Sequence, residues 1–224
     1  MDTYKIHPLR VGTAIRDDIL DPITSYYLEG DHKIVVDTGG VDPDGEHWMP
    51  YWKNPGETVP EALAKIGVNA EDIEIVLLTH LHWDHAGGNR YLPNARFLVQ
   101  RKEYEFLSEP PQCNDPGLAA KQILATDYEL LDGDTQIVPG VEVILTAGHT
   151  PGMQSVVVTT TEGKYALAGD AVIKKAQWDA TPKILNDWGC DSELFHSVMK
   201  KFEEENITLL PFHDMSIHAK PVYP

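Results

Sequence analysis

The sequence contains few cysteines and no long apolar run. Its two cysteines, Cys113 and Cys190, belong to no metal-like or redox-like pair. The sequence permits a disulfide between them, but it favours a reduced, cytoplasmic protein, and this is our prediction. No stretch approaches the roughly 20 apolar residues that a membrane span needs, and the N-terminal residues lack the basic and apolar segments of a signal peptide. We therefore expect no membrane association and no export.

Basic residues are also scarce. The 224 residues include 18 Lys and Arg against 35 Asp and Glu, which gives a formal net charge of −17. So acidic a surface repels phosphate backbones, and the short basic pairs at 174–175 and 200–201 do not form a patch, so we expect no nucleic-acid partner. The length predicts a single domain over residues 1–224. It does not define an oligomeric state.

Short apolar runs recur, and each ends at a polar residue. Five of them span residues 33–40, 73–80, 141–152, 164–170 and 207–214, and their length and their Gly and Pro boundaries are typical of buried strands. Helices are predicted between them, at "TVPEALAKIG" with a Thr58–Glu61 capping box, and at "SELFHSVMKKFEEEN" after a Ser192 cap. Residues 41–56 read as a long loop. Interleaved strands and helices predict an α/β fold.

The most informative stretch is "THLHWDHAGG", residues 79–88. His80 and His82 are two residues apart at a predicted strand end, so their side chains can point the same way. Asp84 and His85 follow after a turn, and we expect their side chains to point in the direction opposite to those of His80 and His82. Two ligand pairs that leave one turn in different directions favour two metal ions over one. Gly87 and Gly88 allow the backbone to bend tightly and to approach the site.

Three further strand ends carry metal-seeking side chains: His149, Asp170 and His213. Together with the histidine-rich turn they make seven candidate ligands. That number exceeds the needs of one catalytic zinc and fits two divalent ions if one carboxylate bridges them. Nitrogen and oxygen ligands without cysteine favour zinc, with iron, manganese or cobalt as alternatives. Such a pair would generate hydroxide at neutral pH and stabilise the oxyanion formed when hydroxide attacks a carbonyl.

These motifs resemble the metallo-β-lactamase superfamily. The resemblance rests on "HLHWDH", "GHTPG", "AGD" and "FHD", distributed over residues 33–214. It implies an αββα sandwich with the metal site at one edge between two sheets. It further implies that one metal is held by His80, His82 and His149. The other would be held by Asp84, His85 and His213, with Asp170 bridging both ions.

Longer segments are similar to the quorum-quenching N-acyl homoserine lactonase branch of that superfamily. They are "HLHWDHAGGN", "QRKEYEF", "VPGVEV" and "GHTPGMQS". Two positions depart from the branch, because Ile173 stands where a substrate-contacting tyrosine is typical and Met153 where histidine is. The resemblance implies a hydrolase in which metal-bound hydroxide opens a lactone or small cyclic ester. Either the second metal or Asp84, as a proton shuttle, would help the alkoxide leave, and Asp170 would bridge the ions, so Asp84 and Asp170 are the candidate catalytic residues.

Aromatic residues near the motifs are candidates for a substrate pocket. Tyr51 is crowded with tryptophans in the 41–56 loop, and Trp188 follows Asp170. They either cover the core or line an apolar pocket beside the metals. Asp37 is likewise either a turn residue or an orienter of a metal-binding histidine. The candidate substrate-binding residues are Trp48, Trp52, Trp83, Ile173 and Trp178.

Other functions stay open at this point. The same ligands serve superfamily members that act on thioesters, amides or β-lactams. Persulfide dioxygenases use a similar motif around one iron, with two histidines and one aspartate. A non-catalytic member that binds a metabolite is a further alternative, although the complete ligand set argues against it. The expected partner is a small molecule with a hydrolysable acyl bond.

Overall fold

The structure is a computed structural model that describes residues 3–16, 18–42, 50–108 and 117–224. Trp48 and Cys113 lie outside the described residues, so the predictions made for them stay predictions. In the described part of the chain no helix combines the length and the apolar character that crossing a membrane requires.

Two sheets form the centre of the molecule. The larger sheet has the strand order β4-β1-β2-β3-β5-β6-β7 and the smaller sheet β12-β11-β10-β9-β8 over the described residues. The strands of the larger sheet are β1 (Lys5–Arg16), β2 (Ile19–Glu29), β3 (Lys33–Val36), β4 (Tyr51–Trp52), β5 (Ile75–Leu77), β6 (Arg96–Gln100) and β7 (Tyr128–Leu131). Those of the smaller sheet are β8 (Thr135–Val138), β9 (Val141–Leu145), β10 (Gln154–Thr160), β11 (Gly163–Leu167) and β12 (Thr208–Leu210).

Helices cover the outer face of each sheet. The helices are α1 (Val59–Lys65), α2 (Trp83–Ala86), α3 (Arg101–Ser108), α4 (Gly117–Leu124), α5 (Lys175–Asp179) and α6 (Ser192–Glu204). The helix α6 buries Phe195, Val198, Met199 and Phe202 against the smaller sheet, as its 3.6-residue apolar period predicts. The order of layers is therefore helix, sheet, sheet, helix, and the predicted αββα sandwich is confirmed.

Alternating side chains explain why the short strands are buried on both faces. In β5, Ile75 and Leu77 pack in the apolar layer between the sheets, whereas Val76 packs against the helices outside the larger sheet. The same alternation in β3 places Ile34 and Val36 between the sheets. Successive side chains of a strand point to opposite faces, so a fully apolar run suits a sheet with both faces covered.

Local predictions were confirmed with two corrections. The capping box of Thr58 and Glu61 is present at the start of α1. The cap of α6 is Asp191, whose carboxylate accepts from the Leu194 N–H, so Ser192 is the first helical residue rather than the cap. The predicted loop at 41–56 contains the short strand β4, because Tyr51 and Trp52 pair with β1. The single-domain boundary of 1–224 stays a prediction.

Candidate metal centre

The ends of strands from both sheets meet at one edge of the sandwich. The histidine-rich turn follows β5 in the larger sheet and runs directly into α2. From the smaller sheet, His149 follows β9, Asp170 lies in the 3₁₀ helix at 169–171 after β11, and His213 follows β12. All seven candidate ligands are therefore placed at one edge, between the two sheets.

The two glycines after the turn serve close packing rather than bending. Gly87 and Gly88 have φ angles of −68° and −93°, which any residue adopts. A Cβ atom on Gly87 would lie 2.0 Å from the Val41 nitrogen, and one on Gly88 would lie 2.1 Å from the Thr38 carbonyl oxygen. The absence of side chains thus lets α2 lie directly on the loop after β3. The predicted close approach is present, and the predicted tight bend is not the reason for the glycines.

One group of ligand atoms consists of three imidazoles. His82 Nδ1 lies 3.0 Å from His80 Nε2 and 3.0 Å from His149 Nε2. Metal–nitrogen bonds of about 2.0–2.1 Å in a tetrahedral site place the ligand atoms roughly 3.3 Å apart. The spacing of this group therefore suits a common ion.

The second group combines imidazoles and carboxylates. His213 Nε2 lies 3.4 Å from His85 Nε2 and 3.6 Å from Asp84 Oδ2. Asp170 Oδ1 is 3.2 Å from His213 Nε2 and 3.1 Å from His85 Nε2, while Asp170 Oδ2 is 3.6 Å from His149 Nε2. One carboxylate thus faces both groups with different oxygens, which is the arrangement that a bridging ligand needs.

The donor set fits divalent metal ions. Asp170 Oδ1 is buried and has no well-formed hydrogen bond among the described residues. A buried carboxylate oxygen left without such a bond is costly unless a cation compensates it. Three combinations of these side chains bring their ligand atoms within 4.8 Å of one another. The individual ligand assignments stay predictions, and the geometry is consistent with each of them.

Buried side chains behind the ligands fix their orientation. Asp37 is fully buried, and its Oδ2 atom lies 2.6 Å from His85 Nδ1. Its carboxylate also accepts from the backbone N–H of Thr79 at 2.7 Å and from the Thr79 hydroxyl at 2.7 Å. Its φ of 57° places it in the left-handed region that is typical of turns. Asp37 is therefore both a turn residue and a partner that orients His85. An imidazole whose far nitrogen is held by a carboxylate keeps its near nitrogen available for a metal.

Burial and neighbouring charges shift the pKa values in this cluster. Burial, aided by nearby imidazoles, holds the pKa of His80 well below its usual value, and burial lowers the pKa of His149 to about 3. Both imidazoles are therefore neutral at pH 7, which is the form that binds metals. Burial also opposes the charge on His85, but the carboxylates of Asp170 and Asp37 outweigh it and raise the pKa of His85 well above 6.5.

The charge on Asp170 follows from the same contacts. Burial alone would raise its pKa, but His213 and His85 hold the pKa of Asp170 well below its ordinary value. The carboxyl group is therefore ionised at neutral pH. An ionised carboxylate among neutral and positive imidazoles is prepared to accept a cation in place of a proton.

The predicted substrate-binding residues are spread over different environments. Trp83 is 5% exposed and packs on Tyr51 within the core, with ring centroids 4.8 Å apart, and Trp178 is buried beside α6. Both rings therefore pack in the core, and their assignment as substrate-binding residues stays a prediction. Trp52 in β4 and Ile173 are half-buried.

Two further residues lie at the site: Trp188, which the sequence left either as a cover of the core or as a pocket residue, and Asn186, which the sequence analysis did not identify. Trp188 is 63% exposed, and its ring centroid lies 3.9 Å from that of His149 and 6.0 Å from that of His82. Asn186 Nδ2 lies 3.0 Å from His149 Nδ1 and donates to the Asp170 carbonyl at 2.8 Å. No spacing rule identifies a lone Asn in a loop, whereas the tryptophan crowding after Asp170 was a usable signal for Trp188.

Comparisons with known proteins agree with this geometry. A family model described as the metallo-beta-lactamase superfamily matches residues 18–218. An N-acyl homoserine lactonase from a Bacillus species is 32% identical over 213 residues, which cover 86% of this chain and 80% of the relative. A Bacillus cereus protein of the same name is 31% identical and covers 82% of this chain and 76% of its own length.

A solved structure gives the same result in three dimensions. An N-acyl homoserine lactone hydrolase, with the product N-hexanoyl-L-homoserine bound at its catalytic metal center, superposes with a TM-score of 0.81 at 25% identity. The match covers 98% of this chain and 96% of that one. The chain belongs to the metallo-beta-lactamase superfamily. Within that class it is a metal-dependent hydrolase similar to the lactonases, as the motifs predicted.

Proposed function

We propose that the protein is a binuclear metal-dependent hydrolase that opens a lactone or a related small cyclic ester. The observation that carries the proposal is the Asp170 carboxylate, whose two oxygens face different ligand groups. His80, His82 and His149 would hold one ion. Asp84, His85 and His213 would hold the second. Two zinc ions there would supply hydroxide at neutral pH and polarise the substrate carbonyl.

Asp84 is suited to carry a proton during ring opening. Its side chain is 9% exposed, and its Oδ2 atom lies 3.6 Å from His213 Nε2. It is therefore close to the ligand cluster and keeps contact with the solvent side of the site. A carboxylate at this position can take the proton of the attacking hydroxyl group and pass it to the departing alkoxide, first as general base and then as general acid. Asp84 thus serves as ligand and as proton shuttle in the proposed reaction.

Apolar side chains flank the segments that carry the ligands. Besides Trp188, Ile184 is 55% exposed and Met215, two residues after His213, is 46% exposed. Ile19 and Leu20 are also exposed, and the next residue, Asp21, lies within 3.6 Å of a metal-site imidazole. An exposed aromatic ring against the ligand cluster, with further exposed apolar residues close in sequence to the ligands, favours ligands with an apolar face. We infer a substrate that places an aliphatic or aromatic group beside its acyl bond.

Ile173 narrows the substrate further. It stands where the lactonase branch places a tyrosine, and isoleucine offers no hydrogen-bond donor. Losing one central donor to a developing oxyanion costs about 3–4 kcal/mol. We therefore expect weak turnover of long-chain acyl homoserine lactones and faster turnover of compact lactones. Ile173→Tyr should raise kcat/KM on acyl homoserine lactones. If the wild type already hydrolyses these lactones efficiently and the substitution adds nothing, this position does not determine which substrate is used.

A substrate panel tests the proposal. Protein loaded with two equivalents of zinc is assayed by pH-stat on aliphatic lactones, aryl lactones, acyl homoserine lactones, thioesters and a β-lactam. We expect the highest kcat/KM on a lactone. A preference for a thioester or β-lactam would overturn the lactone assignment. A single iron in protein purified without added metal would overturn the binuclear hydrolase.

Trp188 provides a test of the apolar subsite. Trp188→Ala should raise KM for aryl and aliphatic lactones and leave the metal content unchanged. Phe106→Ala is the matched control, because Phe106 is also a partly exposed aromatic residue and lies on α3. Equal KM values for wild type and Trp188→Ala would contradict the subsite.

A further inference from the structure

A buried carboxylate outside the ligand set connects the two loops that carry the first group of imidazoles. Glu103 is the third residue of α3 and is 1% exposed. Its Oε1 atom accepts from the Leu81 N–H at 3.0 Å. Its Oε2 atom accepts from the Thr150 hydroxyl at 2.6 Å and from the Gly152 N–H at 3.1 Å. One side chain thus receives three hydrogen bonds from two separate loops.

These two loops are the ones that must come together to form the first metal site. Leu81 lies between His80 and His82, and Thr150 directly follows His149. The loops belong to different sheets, one after β5 and the other after β9. The relative position of the three imidazoles therefore depends on a contact that holds loop to loop. Metal sites tolerate errors of only about 0.2 Å in ligand distance.

Glycine at position 152 allows the second loop to reach this carboxylate. A Cβ atom at Gly152 would lie 2.1 Å from the Glu103 nitrogen and 2.5 Å from its Cα atom. Any side chain would collide with the first turn of α3. The loop that carries His149 is thus pressed directly onto the helix from which Glu103 extends.

Burial of a carboxylate is unfavourable in itself, which argues for a specific use. Burial raises the pKa of Glu103, and its hydrogen bonds to Thr150, Leu81 and Gly152 oppose that shift. These donors are neutral, so the carboxylate is satisfied by hydrogen bonds rather than by an ion pair. Neutral donors held by a charged acceptor form short, well-directed bonds.

We propose that Glu103 is the positioning residue of the His80–His82–His149 site. It holds Leu81 and Thr150 at a fixed separation and so sets the distance between the paired imidazoles and His149. It touches neither metal nor substrate. The inference rests on the proposed metal centre but not on the proposed lactone.

Glu103→Gln tests the inference because it keeps the shape and changes the hydrogen bonding. An amide offers one acceptor oxygen, so its NH₂ group must face either the Leu81 N–H or the Gly152 N–H. Glu105→Gln is the matched control, since it is the same substitution on the exposed side of the same helix. Thr150→Val removes only one of the three bonds and should give a smaller effect.

The measurement is metal affinity, read by chelator competition with zinc and by the visible spectrum of the cobalt-loaded protein. We expect Glu103→Gln to weaken binding of the ion held by His80, His82 and His149 at least 10-fold and to alter the cobalt spectrum. Residues that orient metal ligands typically contribute 10- to 100-fold in affinity. Thr150→Val should weaken the ion less, and Glu105→Gln should match wild type.

Two outcomes are decisive against the inference. A folded Glu103→Gln protein with wild-type affinity and spectrum would overturn it. So would a Thr150→Val protein with unchanged affinity, should Glu103→Gln fail to fold. A wild type that binds metal but hydrolyses no lactone would contradict the proposed function alone, and a wild type that binds no metal would contradict the metal centre itself.

Discussion

Asp37→Asn is the most discriminating perturbation of the second metal site. Asp37 accepts from His85 Nδ1 at 2.6 Å, which leaves His85 Nε2 free to face Asp170 and His213. An asparagine keeps the size of the side chain and tolerates the φ of 57° at this position. The substitution therefore changes hydrogen bonding without straining the backbone.

The effect follows from the donors around the side chain. If the amide oxygen keeps accepting from the Thr79 N–H, the NH₂ group must face His85 Nδ1. That nitrogen then becomes an acceptor, and the proton moves to Nε2, which can no longer bind a metal. If the amide is reversed, its NH₂ group meets the Thr79 N–H, and two donors face each other. Neither orientation reproduces the wild-type contacts.

The expected loss is 10- to 100-fold in affinity for the ion bound by His85, which is about 1.4–2.7 kcal/mol. Stepwise zinc titration against a chelator measures it, and the ion held by His80, His82 and His149 should be affected less. Asp72→Asn serves as the control, since Asp72 is an exposed partner of Lys33. Two ions bound at wild-type affinity in Asp37→Asn would refute the reasoning.

Three further predictions concern the ligands and His218. Asp170→Asn should lower the occupancy of both ions and the turnover, because an amide cannot offset two cations; normal metal content with normal turnover would contradict the bridge. His149→Ala should deplete the ion shared with His80 and His82, and Asp84→Ala should deplete the other ion. Metal analysis and a crystal structure of each variant measure this, and a structure with both residues on one ion would refute the two-site scheme. Burial lowers the pKa of His218 to about 4. Between about pH 6.5 and pH 4 the unfolded chain binds a proton at this residue that the folded chain does not, so the free energy of unfolding should fall as the pH drops through this range. Urea unfolding should show that the free energy of unfolding decreases less with falling pH in His218→Gln than in wild type. An equal decrease in both proteins would contradict the prediction.

The sequence predicted the strands and the ligand cluster because both depend on short, local patterns, whereas the αββα layers were predicted from the family resemblance. Apolar runs such as 73–80 specify a strand by their length and composition, and each run ends at the residue that the fold places at the sheet edge. The contacts behind the ligands were not predictable in the same way. Glu103 and Asn186 reach the site through tertiary packing, and no spacing in the sequence relates either of them to His149.

Side-chain direction is a second property that the sequence left open. Trp83 lies inside the ligand motif, yet α2 turns its ring towards the core and onto Tyr51. Its neighbours Asp84 and His85 point to the metal site from the same short helix. A helical turn places adjacent residues on different faces, so proximity in sequence did not mean a shared surface.

The candidate ligands come from two sheets, so metal binding at this site requires both sheets to be folded and docked. The smaller sheet supplies His149, Asp170 and His213, whereas the turn after β5 of the larger sheet supplies His80, His82 and His85. Neither group of candidate ligands can therefore form until the sheets have docked. Ions bound there bind only the assembled sandwich and stabilise it in proportion to their affinity and concentration. Each ion of the proposed pair would thus link the two sheets, and metal removal should weaken the contact between the sheets before it disturbs either sheet alone.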